Sequence, residues 1–310
     1  MHPPKVYLGA DVSKASIDCR LLDQAFQVSN DAAGLRRLLA RLRSQPDVHV
    51  VCEATGGYQN DLVAALHRQA IPVSVINPRQ VRDFARSRNL LAKTDRLDAQ
   101  VLAAFGQANG PTPDAPKPAH LQRLAALLSA RDQLVGIRAE HKTRSHQITD
   151  RWLRAQTQRL IGFYDREIKK LEDQLQALRD ADAQLQAKAQ RLDQVAGLDW
   201  RGALGLLGYL PELGTLSRRA IAKLAGLAPL NYDSGQLRGQ RHIAGGRAPA
   251  RRLLYLASLT AVTKNSLFKT SYQKLRAAGK PPKVALIAIA RKLLILLNSA
   301  LKNPLLSLAN

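Results

Sequence analysis

Residues 5–105 alternate between short apolar runs and segments with helical spacing, which constrains the fold more than any other feature of the sequence. Strands are predicted at 6–10, 16–22, 48–52 and 71–76, and the second should pair with the first as a hairpin. Helices are predicted at 34–43, 59–69 and 95–108, the last with Thr94 as its N-cap. Strands that alternate with helices favour an α/β layer built on a mixed sheet.

Four carboxylates stand at the ends of these predicted elements. Asp11 ends the first apolar run, and Glu53 ends the run at 48–52. Asp95 and Asp98 are three residues apart at the start of the last predicted helix. Strand ends form the usual ligand crevice of such sheets, and packing carboxylates together without a cation is costly. The pattern therefore predicts that these residues converge on divalent metal.

The formal net charge is +23 and is concentrated towards the C-terminus. Residues 1–110 and 111–190 each contain 14 Lys/Arg against 10 Asp/Glu, whereas residues 191–310 contain 19 against 4, or +15. Such a surface binds polyanions in a strongly salt-dependent way. Together with the carboxylates it indicates metal-dependent chemistry on nucleic acid, and a solvated basic scaffold is the alternative.

Cysteine content and hydropathy bear on the cellular location. Cys19 and Cys52 are too few for a disulfide framework or a four-ligand zinc site, and Cys52 fits a small buried residue. The start of the chain does not have the pattern of a signal peptide. The apolar stretch 284–297 contains Arg291 and Lys292 and should fall short of a membrane span. A cytoplasmic, nucleoid-associated protein of a prokaryote is expected.

A Pro-rich segment at 110–118 divides the chain, because its four prolines cannot continue a helix. Residues 120–194 are almost free of Gly and Pro and repeat apolar residues at helical spacing. They predict a long helical hairpin or coiled-coil arm, used either for dimerisation or for packing within the chain. We therefore expect an α/β domain at 1–110, a linker and arm at 111–190, and a mostly α, basic domain at 191–310.

Two basic stretches are the expected nucleic-acid contacts, one in the arm and one in the C-terminal domain. Arginine forks match phosphate oxygens, although a solvated face explains the arm equally well. Short helices around a glycine turn at 197–199 would also present backbone amides to phosphate. The candidate residues are Arg138, Lys142, Arg144, Arg151, Arg154, Arg238, Arg241, Arg247, Arg251 and Arg252.

Ser234 lies between Asp233 and Gly235 in a glycine-rich stretch that is followed by arginines. A serine that attacks phosphorus needs an exposed hydroxyl and cations around the developing charge, and this stretch offers both. An ordinary Ser-Gly turn is the alternative interpretation.

Taken together, these motifs resemble those of the IS one-ten (IS110) family of transposases, the DEDD-type insertion-sequence recombinases that include the pilin-gene invertase. The glycine turn at 197–200 is Gly-Leu-Asp-Trp, where the family usually has Gly-Ile-Gly or Gly-Val-Gly. The resembling segments are 9–14, 52–58, 77–85, 93–99, 226–229 and 233–247.

The resemblance implies an RNase H fold of the RuvC type at the N-terminus, a coiled-coil dimerisation arm and a C-terminal transposase domain. It implies catalysis by Asp11, Glu53, Asp95 and Asp98 with Mg²⁺ or Mn²⁺, and Ser234 as the nucleophile that forms a phosphoserine ester with DNA. The metal or Asp233 would activate the serine. Because Ser234 lies far beyond the linker, the site would be composed from two domains. A site shared between two protomers is favoured because it would tie cleavage to assembly.

The resemblance also implies partners. A structured bridge (seeker) RNA would pair with donor and target DNA, and the protein would act as a homo-oligomer, a dimer that assembles into a tetramer. The main alternative is a RuvC-like metal-dependent nuclease or junction resolvase, in which water attacks and Ser234 is structural. A sugar-kinase-like ATPase would need a second phosphate loop, and a chromatin-like protein would leave the carboxylates without a role.

Overall fold

The computed structural model describes residues 6–45, 47–90, 95–230, 233–234, 237–239 and 241–306. The chain divides into two compact units, Met1–Lys117 and Pro118–Asn310. Each unit has its own hydrophobic core. The boundary between the units falls at the end of the Pro-rich segment, where the sequence predicts a linker.

A five-stranded mixed sheet forms the centre of the N-terminal unit. Its strands are β1 (Val6–Val12), β2 (Ser16–Leu21), β3 (Gln24–Ser29), β4 (Val48–Glu53) and β5 (Val73–Ile76), in the spatial order β3-β2-β1-β4-β5. β1, β2 and β3 pair antiparallel, whereas β1, β4 and β5 run parallel. The mixed α/β layer and the hairpin of β1 with β2 are confirmed. β3 is a further strand that the sequence did not predict.

Helices cover both faces of this sheet, because alternate residues of each strand point to opposite sides. The helices described in this unit are α1 (Ala32–Leu42), α2 (Asn60–Arg68), α3 (Pro78–Ser87) and α4 (Asp95–Asn109). Leu8 and Val50 share a core with α1 and α2, whereas Tyr7 and Val51 share one with α3 and α4. α3 was not predicted from the sequence.

Two glycines allow α4 to lie directly on β1. A Cβ on Gly9 would collide with the backbone of Ala99 and Ala103. A Cβ on Gly106 would come within 2.5 Å of Cδ1 of Tyr7. Because the later residue of α4 is opposite the earlier residue of β1, the helix runs antiparallel to the strand.

The Pro-rich segment is hydrogen-bonded to the edge of the sheet. The amide of Asp114 donates to the carbonyl of Val73, and the carboxylate of Asp114 accepts from the amide of Val75, each at 2.8 Å. The hydroxyl of Ser74 donates to the carbonyl of Thr112 at 2.9 Å. The segment ends α4 as predicted, and it also continues the hydrogen bonding of the outer strand β5.

Two long antiparallel helices, α5 (Ala119–Ser145) and α6 (Arg151–Asp180), open the second unit and confirm the predicted helical hairpin. Residues near the start of α5 pack with the C-terminal helices, so this end of the hairpin belongs to the core of the unit. The pairs that join the two helices are Arg131–Glu172, Arg138–Asp165 and His141–Tyr164.

The remaining helices confirm a mostly α C-terminal region. They are α7 (Ala183–Asp193), α8 (Trp200–Tyr209), α9 (Arg218–Leu224), α10 (Ala248–Lys264), α11 (Ser266–Ala277) and α12 (Pro282–Lys302). Contrary to expectation, α12 is long and apolar enough to cross a membrane by length and composition, the one such helix among the described residues. Half of its most apolar window is buried inside the unit, as in a core helix, so it is weak evidence for a membrane span.

A two-stranded arm interrupts these helices between α9 and α10. β6 (Pro229–Leu230) pairs with β9 (His242–Ile243), and β7 (Asp233–Ser234) pairs with β8 (Leu237–Arg238). We call residues 229–243 the hairpin arm. The register of the second ladder differs by one residue from that of the first.

Candidate active site

Asp11 and Glu53 lie beside each other at the C-terminal ends of two adjacent parallel strands. The last pair in register is Ala10 with Cys52, and one step further along β1 and β4 brings Asp11 next to Glu53. Paired strands are about 4.8 Å apart, and residues in register point to the same face of the sheet. Both side chains are partly buried. The two predicted carboxylates are therefore neighbours.

The first turn of α4 lies over Asp11. Asp11 is on the same face of β1 as Gly9, against which α4 packs. Asp11 is two residues beyond Gly9, a distance of about 6.6 Å along the strand, which corresponds to about four residues of a helix. Because α4 runs antiparallel to β1, Asp11 is opposite the helical turn that precedes the turn packed on Gly9. That turn begins at Asp95 and contains Asp98, which is partly buried. The ends of β1 and β4 and the first turn of α4 therefore meet at one edge of the sheet.

The structure does not by itself complete a metal centre. Among the side chains that it describes, which do not include that of Asp95, no three Asp, Glu, His or Cys residues form a group that could hold a metal ion. The donors at hand are nonetheless carboxylate oxygens carried by two strand ends and one helix, a set that fits a hard divalent cation.

A further acidic residue, Asp18, lies on the same face and was not singled out from the sequence. It is opposite Asp11 in the antiparallel register of β1 and β2. Its two carboxylate oxygens each accept a hydrogen bond of 3.1 Å from the side-chain amide of Gln27 on β3. Only the hairpin register reveals this neighbour, and the sequence pattern alone does not specify that register.

Both cysteines are buried in the sheet and are inert in character. Burial raises the pKa of the Cys19 thiol to about 12, with a smaller effect from Asp18. Burial likewise raises the pKa of the Cys52 thiol to about 12. At neutral pH neither is a thiolate, and the predicted structural role of Cys52 is confirmed.

Ser234 lies in a two-residue ladder near the tip of the hairpin arm and not in an open loop. Ser234 is in register with Leu237, and Asp233 with Arg238. Only backbone positions are described for these four residues, so the predicted roles of Ser234 and Arg238 remain predictions. The structure does place Ser234 at the end of β7, paired with the first residue of β8.

Several arginines predicted to contact nucleic acid have partners within the protein, and their role in binding stays a prediction. Arg138 pairs with Asp165 at 2.7 Å, and Arg252 pairs with Asp132 at 2.7 Å. The guanidinium of Arg154 donates to the carbonyl of its own α5–α6 turn. Arg251 donates to the carbonyl of Gly245, and Arg247 pairs with Glu212. The candidates with exposed side chains outside such pairs are Lys142, Arg144, Arg151 and Arg241.

The glycine turn before α8 differs from the predicted phosphate site. Gly197 has φ +104°, and a Cβ there would collide with the backbone of Ala257. The carboxylate of Asp199 caps α8 by accepting from the amide of Gly202 at 2.9 Å. An acidic side chain therefore occupies the helix end that would receive an anion, which disfavours phosphate there.

Comparison with protein families matches two parts of the chain. The family described as the DEDD transposase of IS110 matches residues 8–152, which contain all four predicted carboxylates. The transposase IS116/IS110/IS902 family matches residues 189–273, which contain the hairpin arm. This chain belongs to the IS110 family of transposases. Membership of this family implies a DNA-cleaving recombination enzyme and suggests dependence on a divalent metal.

Relatives of this IS110 transposase match it along most of its length. The pilin gene-inverting proteins of Moraxella lacunata and Moraxella bovis are each 26% identical over 302 residues, covering 94% of both chains. An uncharacterized 42 kDa protein of the insertion element IS900 from Mycobacterium paratuberculosis is 25% identical, covering 88% of this chain and 69% of the relative. Among solved structures, T. thermophilus RuvC in complex with a Holliday junction substrate has 14% identity and a TM-score of 0.28, covering 35% of this chain and 99% of RuvC.

Proposed function

We propose that this IS110 transposase is an RNA-guided DNA recombinase that cleaves and exchanges strands through a metal-dependent carboxylate site and the hydroxyl of Ser234. The observation that carries the proposal is the position of Asp11 beside Glu53 under the turn of α4 that contains Asp98. The strand order β3-β2-β1-β4-β5, with α4 packed on β1, supports an RNase H fold of the RuvC type.

Mg²⁺ or Mn²⁺ would be held by Asp11 and Glu53 from the sheet and by Asp95 and Asp98 from α4. Hard cations prefer carboxylate oxygens, and the strand ends offer these oxygens on a rigid support. When bound, such a cation stabilises the charge on the attacking and leaving oxygens of a phosphodiester. The close contact of α4 with Gly9 fixes how far the helical carboxylates stand from those of the sheet.

Ser234 would form a covalent link with DNA. A bond forms from its Oγ to phosphorus as the bond from phosphorus to one bridging oxygen breaks. The hydroxyl proton leaves Oγ, and the departing DNA oxygen gains a proton. The resulting phosphoserine ester retains the bond energy for joining to a new strand. Asp233 next to the serine, or the cation, would activate the hydroxyl.

Charge supports nucleic acids as the partners. Residues 234–310 contain 14 Lys/Arg and no Asp/Glu. Exposed Lys142, Arg144 and Arg151 add positive charge near the turn between α5 and α6. We propose that these surfaces bind donor and target DNA and a structured bridge RNA, and that the protein acts at the nucleoid. Discrete RNA that copurifies with the protein would support guidance, whereas heterogeneous RNA or none would count against it.

An exposed apolar stripe on α6 supports assembly with a second copy of the chain. Trp152, Leu153, Leu160 and Phe163 are between 43% and 66% exposed and lie within one sector of the helix. Trp152 and Phe163 stand at the two ends of this stripe, so an antiparallel copy would pack each against the other. We therefore propose that α5 and α6 form the dimerisation arm, and that two dimers make the tetramer that strand exchange between two duplexes requires.

The decisive experiment compares Ser234→Ala with Asp11→Asn on DNA that matches the loops of the copurified RNA. We expect Asp11→Asn to stop cleavage and Ser234→Ala to stop both cleavage and the protein–DNA adduct, which is detected as a band that survives denaturation. Cleavage by Ser234→Ala at the parental rate would instead identify a RuvC-like nuclease in which water attacks.

A further inference from the structure

The two chain segments that begin and end the hairpin arm touch through their backbones. Gly226 has φ +71° and Gly246 has φ +65°, in the left-handed region that favours glycine. A Cβ on Gly246 would overlap the backbone N and Cα of Gly226. The neighbouring Gly245 has almost the same φ, +66°, yet a Cβ there would meet nothing within 4 Å. The space for a side chain is therefore closed at Gly246 and open at Gly245.

An ion pair fixes the same junction from the side. Both ends of the Arg247 guanidinium donate to the carboxylate of Glu212 at 2.6 Å. One of these nitrogens also donates to the carbonyl of Tyr209 at 2.9 Å. The backbone amide of Arg247 donates to the carbonyl of Leu224 at 2.8 Å. A bidentate ion pair of this kind restrains both the distance between Arg247 and Glu212 and their relative orientation.

In the part of the arm that the structure describes, Ile243 packs against the core of the unit, and two short ladders join the strands. Each of its two ladders joins only two residues per strand, and a short isolated hairpin is marginally stable in water. Ser234 follows Leu230 by four residues in the chain, and a rotation at the junction would displace it.

We propose that Glu212, Gly226, Gly246 and Arg247 form a clamp that positions Ser234 for attack on DNA. This inference rests on the proposed function of Ser234. The four are positioning residues, because they act on the serine through the arm. The four residues lie 8 to 22 positions from Ser234 in the sequence. If they are changed, the rate of covalent attack should fall, whereas the affinity for DNA should stay the same.

The sharpest test compares Gly246→Ala with Gly245→Ala. Both substitutions place alanine at the same left-handed φ, and only the first overlaps Gly226. We expect Gly246→Ala to slow formation of the serine–DNA adduct at least about tenfold relative to Gly245→Ala, because ångström-scale misplacement of a reacting group is costly. The dissociation constant for the same DNA should agree within about twofold between the two variants. Equal adduct rates would overturn the clamp.

Two measurements keep the test decisive if Gly246→Ala folds poorly or if the serine forms no adduct. Glu212→Gln keeps the size of the side chain and removes the charge, and it should also slow adduct formation without changing DNA affinity. Backbone hydrogen exchange of residues 229–243 should be faster in Glu212→Gln than in the parent, while α12 stays unchanged. If the parent forms no Ser234 adduct, the proposed function fails. Backbone hydrogen exchange alone then decides whether the clamp holds the arm. Unchanged exchange would reject the clamp.

Discussion

Asp11 and Glu53 stand side by side across the parallel β1–β4 pair, one step beyond Ala10 and Cys52. Replacing Asp11 with Asn or Glu53 with Gln keeps the shape of the side chain and removes charge that would hold a cation. We expect each to reduce DNA cleavage at least about 100-fold, the scale on which a lost electrostatic contribution affects such reactions. Cleavage of a labelled duplex by each purified variant measures this.

Asp18 provides the matched control for that experiment. It is on the same face and opposite Asp11, but its carboxylate is held by Gln27. Asp18→Asn should therefore reduce cleavage by no more than about tenfold, as expected for a residue that acts through its neighbours. An effect as large as that of Asp11→Asn would show that general loss of negative charge on the sheet, and not a specific site, explains the result.

Glu172 joins α5, α6 and α8, and its removal should destabilise the second unit. Its side chain is 9% exposed and accepts hydrogen bonds from Arg131 at 2.8 and 3.0 Å and from Arg201 at 3.0 Å. Glu172→Gln should lower the free energy of unfolding by about 2 kcal/mol near neutral pH. Urea unfolding measures this. Glu167→Gln, which removes an exposed pair with Lys170, should cost less than about 0.5 kcal/mol.

The same residue gives a pH dependence of known sign. Burial acts to raise the pKa of Glu172, but hydrogen bonds from Arg201 and Arg131 outweigh it and hold the pKa below its ordinary value. Because folding lowers this pKa, the stabilisation is present above the unfolded value of about 4.3 and is lost as the pH falls through the folded value. The difference between the parent and Glu172→Gln should therefore shrink in acid. A difference that grows in acid would contradict this account.

Arg151 and Arg138 should separate nucleic-acid binding from folding. Arg151 is exposed, whereas Arg138 pairs with Asp165 on the facing helix. Arg151→Ala should weaken binding to DNA or RNA and reduce the slope of log affinity against log salt by about 1, as expected when one phosphate contact is lost. Arg138→Ala should leave that slope unchanged. Filter binding across a salt series distinguishes them, and identical slopes for Arg151→Ala and the parent would remove Arg151 from the interface.

Phe163 should control self-association. Phe163→Glu places a charge in the exposed stripe of α6 without disturbing the core of the unit, since the side chain is 47% exposed. We expect the dimer to dissociate with a loss of at least about 2 kcal/mol in association free energy, the size typical of an aromatic residue that anchors an interface. Sedimentation equilibrium measures this. A parent that is monomeric at every concentration would reject the proposed dimerisation surface.

Strand ends and long helices could be predicted because their buried residues recur at the spacing of a strand or a helix. β1, β4 and α5 have unbroken apolar patterns, and the structure confirms them. β3 was missed because Gln24–Ser29 is an outer strand in which only Val28 is buried. α3 was missed because its apolar face is short: Val81, Phe84 and Ala85 have helical spacing, but they span little more than one turn and only Val81 is fully buried.

The residues of the candidate site could be predicted from the sequence, but the residues that lie next to them in the structure could not. Asp11 and Glu53 could be found because each ends a strand, whereas the position of Asp18 depends on the register of the β1–β2 hairpin. Arg247 had the sequence context of a phosphate ligand, yet its partner Glu212 is 35 residues away in the chain. Long-range pairs of this kind follow from tertiary packing, and no local pattern announces them.

The bonds from Asp114 and Thr112 to β5 have a consequence for dissecting or transplanting the N-terminal unit. A fragment that stops where α4 ends, at Asn109, would expose the backbone groups of β5 that these residues now satisfy. A bare outer strand is a template on which other chains assemble. In a fragment that continues to Lys117, residues 110–117 still cover the edge of β5. These eight residues thus protect the N-terminal unit against aggregation, and a chimaeric transposase that receives the sheet should receive them as well.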